Sequence, residues 1–474
     1  MDTLGMTHSA CGTCRAVVPA KVLTDGRKVY FRKFCPEHGE EQRLVCGDVA
    51  DYLRSQRYVK PAWVPLEFSG DSTVPCPEGC GFCDRHEQHL CMPIVEITSR
   101  CDLACPICLV DAGRPWDMTL AEFRRLLDRV IRAERRIHVL NLSGGEPLLH
   151  PDLLAFVAEA ASRPEIVRVS ISTNGLRLRV EPKLLRALHE MDVCISLQLD
   201  GFEEKAYEVL RGRPLLREKL EILRLLEEEN VTTSLTMTAA GGVNDGQFRP
   251  MLDQLFSHEH IVSMMIQPAA FEGRGARMAS RVKRLTLPDV VRALGEARHP
   301  AVTSADFVHL PCSHPQCFSL AFYLMLSDGR GVAVNQLIEA AELMDTMSNR
   351  IFYGLAPDEY DHLKQMVYEV WSGPAGSRPD ADEVIQTVRE LLRRTSCCLD
   401  PRTLFTAAER RVKSIFIHAF QDADTFDLAR VRRCCTAYVL PDGRLAPACA
   451  FNVLHRHKAA RPLAARREIP TDER

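Results

Sequence analysis

The chain has 474 residues, enough to bury more than one hydrophobic core, so two or three domains are expected. With 46% apolar and 26% charged residues it has the composition of a globular protein, and a formal net charge of -3 gives no global electrostatic reason to expect a nucleic-acid partner. The outlier is cysteine: there are nineteen, eleven of them before residue 109.

The opening stretch, MDTLGMTHSACGTC, lacks the basic segment and apolar run of a secretory signal. A cytoplasmic location is therefore expected, disulfides are disfavoured there, and metal coordination becomes the leading use for the sulfur. No window of about eighteen uninterrupted apolar residues occurs, which argues against a membrane-spanning helix. HEHIVSMMIQPAAF is expected to be a buried strand leaving the core rather than a membrane anchor.

Residues 1–60 read as a small metal-binding ribbon, rubredoxin-like or zinc-ribbon-like. CGTC is followed by a turn at Thr24-Asp25-Gly26, the alternating run KVYFRKF, and CPEHGE. Cys11, Cys14 and Cys35 are the expected ligands of a mononuclear iron or zinc, with Cys46 as the fourth and His38 as its competitor. Residues 61–93 hold CPEGCGFCDRHEQHLC, in which Cys76, Cys80, Cys83 and Cys91 are close enough for a cluster or zinc loop, and His86 and His89 are alternative ligands.

From residue 94 to about 300, short strands alternate with amphipathic helices: PIVEITS, TLAEFRRLLDRVIRAE, RIHVLNLS, PDLLAFVAEAAS, IVRVSISTNG, PKLLRALHEM, VCISLQLDG, KLEILRLLEEE, VTTSLTMTAA and IVSMMIQPAA. Such alternation predicts a parallel α/β unit, and the loops at the C-terminal ends of its strands are where a barrel places its site. GGEP, STNG and QLDG all fall at such ends. In CDLACPICLV, Cys101, Cys105 and Cys108 follow the first strand. Three sulfurs are one too few for a closed tetrahedral site or a fully ligated iron-sulfur cube, so either a fourth ligand comes from elsewhere or one position is left open.

Residues 301–455 are less regular. They include PCSHPQC (Cys312, Cys317), two helices over 354–395 separated by the surface loop WSGPAGSRPD, and a hairpin-like turn at Asp442-Gly443 flanked by Cys434, Cys435 and Cys449. Cys194, Cys397 and Cys398 have no evident partners and are expected to be ordinary thiols. The basic tail, 456–474, is expected to be a solvated or disordered end, with docking to an acidic partner or a phosphate-bearing surface as the alternative.

The triad CxxxCxxC after the first strand, together with GGEP and QLDG at later strand ends, resembles the radical S-adenosylmethionine (radical SAM) superfamily over residues 94–270. CPEHGE, the loop from Cys76 to Cys91, IQPAAFEGRG, PCSHPQC and CC…PDGRLAPACAFN further resemble the archaeal tetraether lipid synthase group, some of whose relatives were described as methyltransferases acting on a hydroxymethylpterin. The fold this implies is α/β: a partial (β/α) barrel radical SAM core with the N-terminal metal ribbon and a C-terminal auxiliary-cluster region.

The resemblance also implies cofactors. Cys101, Cys105 and Cys108 would hold three irons of a [4Fe-4S] cube whose fourth iron chelates S-adenosylmethionine, yielding a 5'-deoxyadenosyl radical. Gly144, Gly145, Glu146 and Pro147, with Ser172, Asn174, Gln198 and Asp200, would surround S-adenosylmethionine. One auxiliary [4Fe-4S] cluster would use Cys76, Cys80, Cys83 and Cys91; a second would use Cys312, Cys317, Cys435 and Cys449, with Cys434 as the alternative to Cys435. The activity implied first is carbon-carbon bond formation between unactivated lipid alkyl chains, with a reductase or ferredoxin-like electron donor and transient membrane association to collect lipid. Its alternatives are radical methylation, or another modification, of a pterin-like or peptide substrate, and a non-enzymatic multi-zinc scaffold. A long apolar channel would favour lipid; a compact polar cavity with stacking aromatics would favour the pterin.

Overall fold

Along a β-strand successive side chains point to opposite faces, so the two faces of each core strand can be read separately. In IVRVSIST the positions Val169 and Ile171 are aliphatic while Arg168, Ser170 and Ser172 are polar, and the same split recurs in neighbouring strands. The computed structural model turns this split into architecture; it describes residues 1–110, 116–347, 368, 379–395, 402, 406 and 408–456.

Four N-terminal strands, β1 (Asp2–Ala10), β2 (Val17–Thr24), β3 (Val29–Cys35) and β4 (Gly39–Cys46), form an antiparallel sheet in that order. This is the expected ribbon. The second sheet begins with β5 (Met92–Thr98), β6 (Ile137–Gly144), β7 (Ile166–Thr173), β8 (Cys194–Gln198), β9 (Thr233–Ala239) and β10 (Ile261–Pro268), which pair in parallel in chain order. Helices such as Leu120–Glu134 and Leu216–Glu228 lie between them. The first is started by a capping box in which Thr119 and Glu122 exchange side-chain to backbone hydrogen bonds. Helix Glu204–Arg211 ends at Gly212, whose φ of 80° suits a residue without Cβ.

The C-terminal third extends this same sheet. β14 (Val412–His418) pairs in parallel with β10, and β15 (Thr436–Val439) pairs in parallel with β5. β12 (Phe318–Met325) runs antiparallel to β14 and carries β11 (Val308–His309) and β13 (Gly331–Ala333), while β16 (Leu445–Pro447) runs antiparallel to β15. The sheet order is β11-β12-β14-β10-β9-β8-β7-β6-β5-β15-β16. The expected separate C-terminal cluster region is thus not a distinct unit, because its strands complete both flanks of the parallel core. Residues from β5 and from β14 line one chamber, so the sheet is curled into a partial barrel.

The outer faces of these strands carry Val95, Leu142, Ile171, Ile195, Leu197, Leu235, Met264 and Ile415, each fully buried in the main core with helix residues such as Phe123, Leu127 and Leu226. Burying each such side chain contributes about 1.5–3 kcal/mol relative to exposure. Of the two helices expected over 354–395, the second is present as Ala381–Thr395. The first helix, most of WSGPAGSRPD, Cys397, Cys398 and the tail from 457 lie outside the described residues.

Candidate active site

The loop after β5 is tied down at its base. Thr98 Oγ1 donates to Asp117 Oδ1 at 2.6 Å, Arg100 Nε donates to both Asp117 oxygens at 3.2 and 3.0 Å, and Trp116 N donates to Ser99 Oγ at 2.8 Å. Within that loop, Cys108 N donates to Cys105 O at 3.2 Å, and Cys101, Cys105 and Cys108 all line one cavity of about 280 Å³.

Gly144 and Gly145, at the end of β6, form the adjoining wall of this cavity. A Cβ at Gly144, whose φ is 137°, would lie 2.1 Å from Thr98 O, and one at Gly145 would lie 2.2 Å from Arg100 O. Only glycine lets β6 approach the cysteine loop this closely, and Gly145 N and Glu146 N use the approach to donate to Thr98 O and Arg100 O at 2.9 and 2.6 Å. Glu146 lines the cavity, yet it also accepts from Thr173 Oγ1 (2.6 Å), Asn174 N (2.7 Å) and Leu148 N (3.1 Å). Burial raises its carboxyl to about 7. Pro147 is placed otherwise than expected: it opens the buried 3-10 turn Pro147–Leu149, capped by Glu146, and is not among the residues lining the cavity.

Ser172, Asn174 and Gln198 line the cavity. Asn174 is occupied on both sides of its amide, with Nδ2 donating to Asp102 at 2.6 Å and Oδ1 accepting from Leu176 N at 2.9 Å. Asp200 requires a correction. It is fully buried, does not line the cavity, and accepts from Arg211 Nε and Nη2 (2.6 and 2.8 Å), Gln198 Nε2 (2.6 Å) and Thr238 N (3.1 Å). The group it presents is Arg211, which lines the cavity with Cys105 and interacts electrostatically with its thiol. Burial pulls the Arg211 guanidinium down, but Asp200 beside it outweighs this and holds it above its ordinary value. Beneath them the buried Lys219 Nζ donates to Asn174 O (2.6 Å) and Gln198 O (2.8 Å), tying the ends of β7 and β8 together.

The remaining cysteines regroup. In the ribbon, Cys11, Cys14, Cys35 and His38 offer ligand atoms that all lie within 4.8 Å of one another. His38 Nδ1 is 3.7 Å from Cys11 Sγ and 3.5 Å from Cys35 Sγ. Cys46 is therefore not the fourth member. β3 and β4 form a hairpin in which Cys35 pairs with Gly39 while Cys46 pairs with Val29. Six residues of strand, roughly 20 Å, separate the two ends. Cys46 packs with Val22, Val29 and Phe31, and burial pushes its thiol up to about 12.

Cys91 is parted from Cys76, Cys80 and Cys83. The β5–β15 pairing sets Met92 opposite Thr436, so Cys91 N donates to Cys435 O at 2.9 Å and the two sulfurs interact, with Cys312 within electrostatic reach. Cys76, Cys80 and Cys83 line a separate small pocket with Arg432; Cys434 acts electrostatically on Cys80 and is itself acted on by Cys449, Cys435 and Cys317. Cys317 has Cys435 in reach, and Cys449 has Cys317. His86 does not aim at sulfur; its Nε2 is 2.8 Å from Cys434 O. His89 is held by Glu134 at 3.0 Å, with its other nitrogen 3.7 Å from Cys91 Sγ. Cys194 is buried on β8 beside Arg168, within neither group.

The donor chemistry fits a thiolate-held cluster and a polar cofactor. Three sulfurs face one cavity beside a glycine wall, and Gln198 Oε1 is buried there without a hydrogen-bond partner among the described residues. Arg211, Thr238, Gln267 and Asn141 also face this space or adjoin it and were not anticipated. Arg211 had one legible signal, a basic residue at the C-terminal end of the helix after QLDG. The others lie on strand faces whose orientation depends on register.

Comparison with known proteins matches this geometry. Residues 95–255 match the radical SAM superfamily model, and residues 3–47 match the HMPTM N-terminal zinc ribbon domain. A 7,8-dihydro-6-hydroxymethylpterin dimethyltransferase of Methanocaldococcus jannaschii is 26% identical, over 98% of this chain and 96% of its own length. A GTP 3',8-cyclase of Streptomyces coelicolor is 28% identical over 35% of this chain and 50% of its own. The solved structure of Streptococcus suis SuiB bound to precursor peptide SuiA shares 14% identity with a TM-score of 0.36, covering 44% of this chain and 46% of SuiB. The chain thus spans about half the length of the cyclase and of SuiB.

These findings overturn the expected coupling of lipid alkyl chains. A relative that matches nearly end to end is named for a pterin, and the cyclase for a nucleotide. No particular likeness to tetraether lipid synthases is shown, and the membrane association expected only for lipid collection loses its basis. Among the described residues no helix is long and apolar enough to cross a membrane. The ribbon matches a zinc-ribbon model, with no support for a rubredoxin. The cysteine triad and the Gly-Gly-Glu wall, on one cavity at the C-terminal end of a parallel β/α core, lie within residues 95–255, the segment that matches the radical SAM superfamily model and supports enzymatic activity.

Proposed function

We propose that this enzyme methylates a pterin-like substrate. The observation that carries the reading is the likeness, across 98% of the chain, to a protein named as a hydroxymethylpterin dimethyltransferase. In this reading Cys101, Cys105 and Cys108 hold a [4Fe-4S] cluster, and Gly144, Gly145, Glu146, Ser172, Asn174 and Gln198 surround S-adenosylmethionine. Together the cluster and S-adenosylmethionine supply one-electron chemistry capable of activating a carbon-hydrogen bond.

The chain's own contribution is placement. The Asp117 anchor fixes the cysteine loop, the glycine wall admits a ligand against backbone, and Gln198 offers a free buried acceptor. Arg211, held by Asp200, gives the cavity a fixed positive charge beside a cluster ligand, and nearby charge tunes cluster potential. The ribbon site of Cys11, Cys14, Cys35 and His38 is read as a zinc site. Cys76, Cys80, Cys83 and Cys434 on one side, and Cys91, Cys312, Cys317 and Cys435 on the other, are the ligand sets that auxiliary clusters would use, with Cys449 beside Cys317. A ferredoxin-like or reductase donor would deliver the electron.

The test is anaerobic incubation of the reconstituted enzyme with reductant, methyl-labelled S-adenosylmethionine and 7,8-dihydro-6-hydroxymethylpterin. The expected result is a pterin heavier by one or two methylene units in the mass spectrum, with the label showing whether S-adenosylmethionine is the donor. Cleavage of S-adenosylmethionine with no mass gain on the pterin would refute the reading.

A further inference from the structure

A parallel barrel normally fills its lumen with layers of branched aliphatic side chains. Here five adjacent strands place serine at the same level: Ser172 pairs in register with Ser196, Ser196 with Ser234, Ser234 with Ser263, and Ser263 with Ser414. All five line a chamber of about 140 Å³ inside the barrel. The belt removes volume from the lumen and leaves hydroxyls in its place. Ser263 Oγ donates to Ser234 Oγ at 2.7 Å, and Ser196 Oγ lies 2.9 Å from Thr236 Oγ1, so the wall is polar and ordered.

The chamber opens upward into the cysteine cavity, since Ser172, Ser196, Thr236, Gln267 and Phe420 line both. Its lower end is closed by Arg168, which is ion-paired to Glu409 and donates to Asp192 O at 2.8 Å. Above the belt stands His418, sandwiched between Phe318 and Phe420 with ring centroids 4.0 Å apart on each side. Its faces are covered, and it is 4% exposed. Its Nδ1 is buried without a hydrogen-bond partner among the described residues, and the ring lines the chamber. Burial, reinforced by Arg430, lowers the imidazole to about 3, so the ring is neutral.

We propose that the serine belt and His418 form the substrate subsite, taking a flat hydrogen-bonding heterocycle of the pterin class between the belt hydroxyls and the His418 imidazole, directly beneath the cysteine cavity. This deepens the methyltransferase reading and rests on it for the substrate class. The belt supplies room and hydroxyl partners, the imidazole edge selects a ring bearing polar atoms, and the shared opening presents the ring to the cavity above.

Equilibrium binding of 7,8-dihydro-6-hydroxymethylpterin to the anaerobic holoenzyme, followed by calorimetry, tests this. Ser234→Val fills the belt, and His418→Phe keeps the aromatic stack but removes both ring nitrogens. Each should raise the pterin Kd at least tenfold, while iron content and S-adenosylmethionine affinity stay at wild-type values. If Ser234→Val loses iron or fails to fold, His418→Phe decides alone. Wild-type pterin affinity in His418→Phe would overturn the subsite.

The two readings fail differently. Methylation that survives both substitutions removes the subsite and leaves the methyltransferase reading. Pterin binding that depends on both residues, without methylation, removes the methyltransferase reading and leaves the subsite. A wild-type holoenzyme that does not bind the pterin overturns both.

Discussion

Replacing Asp200 with asparagine should damage this enzyme more than an isosteric change ordinarily would. The carboxylate is fully buried and accepts four hydrogen bonds, two from Arg211 and one each from Gln198 Nε2 and Thr238 N. Asparagine removes the charge that offsets Arg211 and turns an NH2 group toward donors. Breaking a buried ion pair from one side costs about 3–5 kcal/mol, because the remaining charge stays desolvated. At roughly 2–4 °C per kcal/mol for a cooperative unit of this size, the melting temperature should fall by about 6–20 °C. The assay is thermal unfolding of the anaerobic holoenzyme, with the rate of S-adenosylmethionine cleavage measured at a temperature where the variant remains folded. Cleavage should also slow, since Arg211 loses the partner that aims it at the cavity. The double variant Asp200→Asn/Arg211→Met should recover part of the melting temperature, because the orphaned charge is gone, but not the cleavage rate. A melting temperature for Asp200→Asn within 2 °C of wild type would refute the claim that this pair is a buried strut of the site.

Two further outcomes test the regrouped cysteines. His38→Ala should lower ribbon metal, measured by elemental analysis, whereas Cys46→Ala should keep full stoichiometry and cost only about 1–2 kcal/mol of packing; metal loss in Cys46→Ala alone would reverse the assignment. Cys91→Ala and Cys435→Ala should remove the same iron, so that the double variant loses no more than either single one, while Cys80→Ala should remove a different share; additive losses from Cys91 and Cys435 would separate the pair.

What could be read from the residues alone is what is local. The CxxxCxxC spacing sets three sulfurs on one loop whatever the rest of the chain does, and alternation of strand and helix implies a parallel core because each element must bury its apolar stripe. GGEP was legible as a loop at a strand end, but that its glycines admit the close approach of the cysteine loop is visible only in three dimensions. His38 remained ambiguous until the β3–β4 register put Cys46 at the far end of the hairpin.

Only the tertiary structure decided which distant groups meet. Cys91 follows Cys83 closely in sequence, yet a strand pairing across more than three hundred residues gives it Cys435. Arg211, for which no role was expected, took the cavity position expected of Asp200, because burial turned the carboxylate inward and left the guanidinium facing the cavity. The serine belt is invisible in any single strand, where one serine is an ordinary polar residue. It exists because five strands share a register, and register is a property of the sheet, set by the packing of their opposite, aliphatic faces.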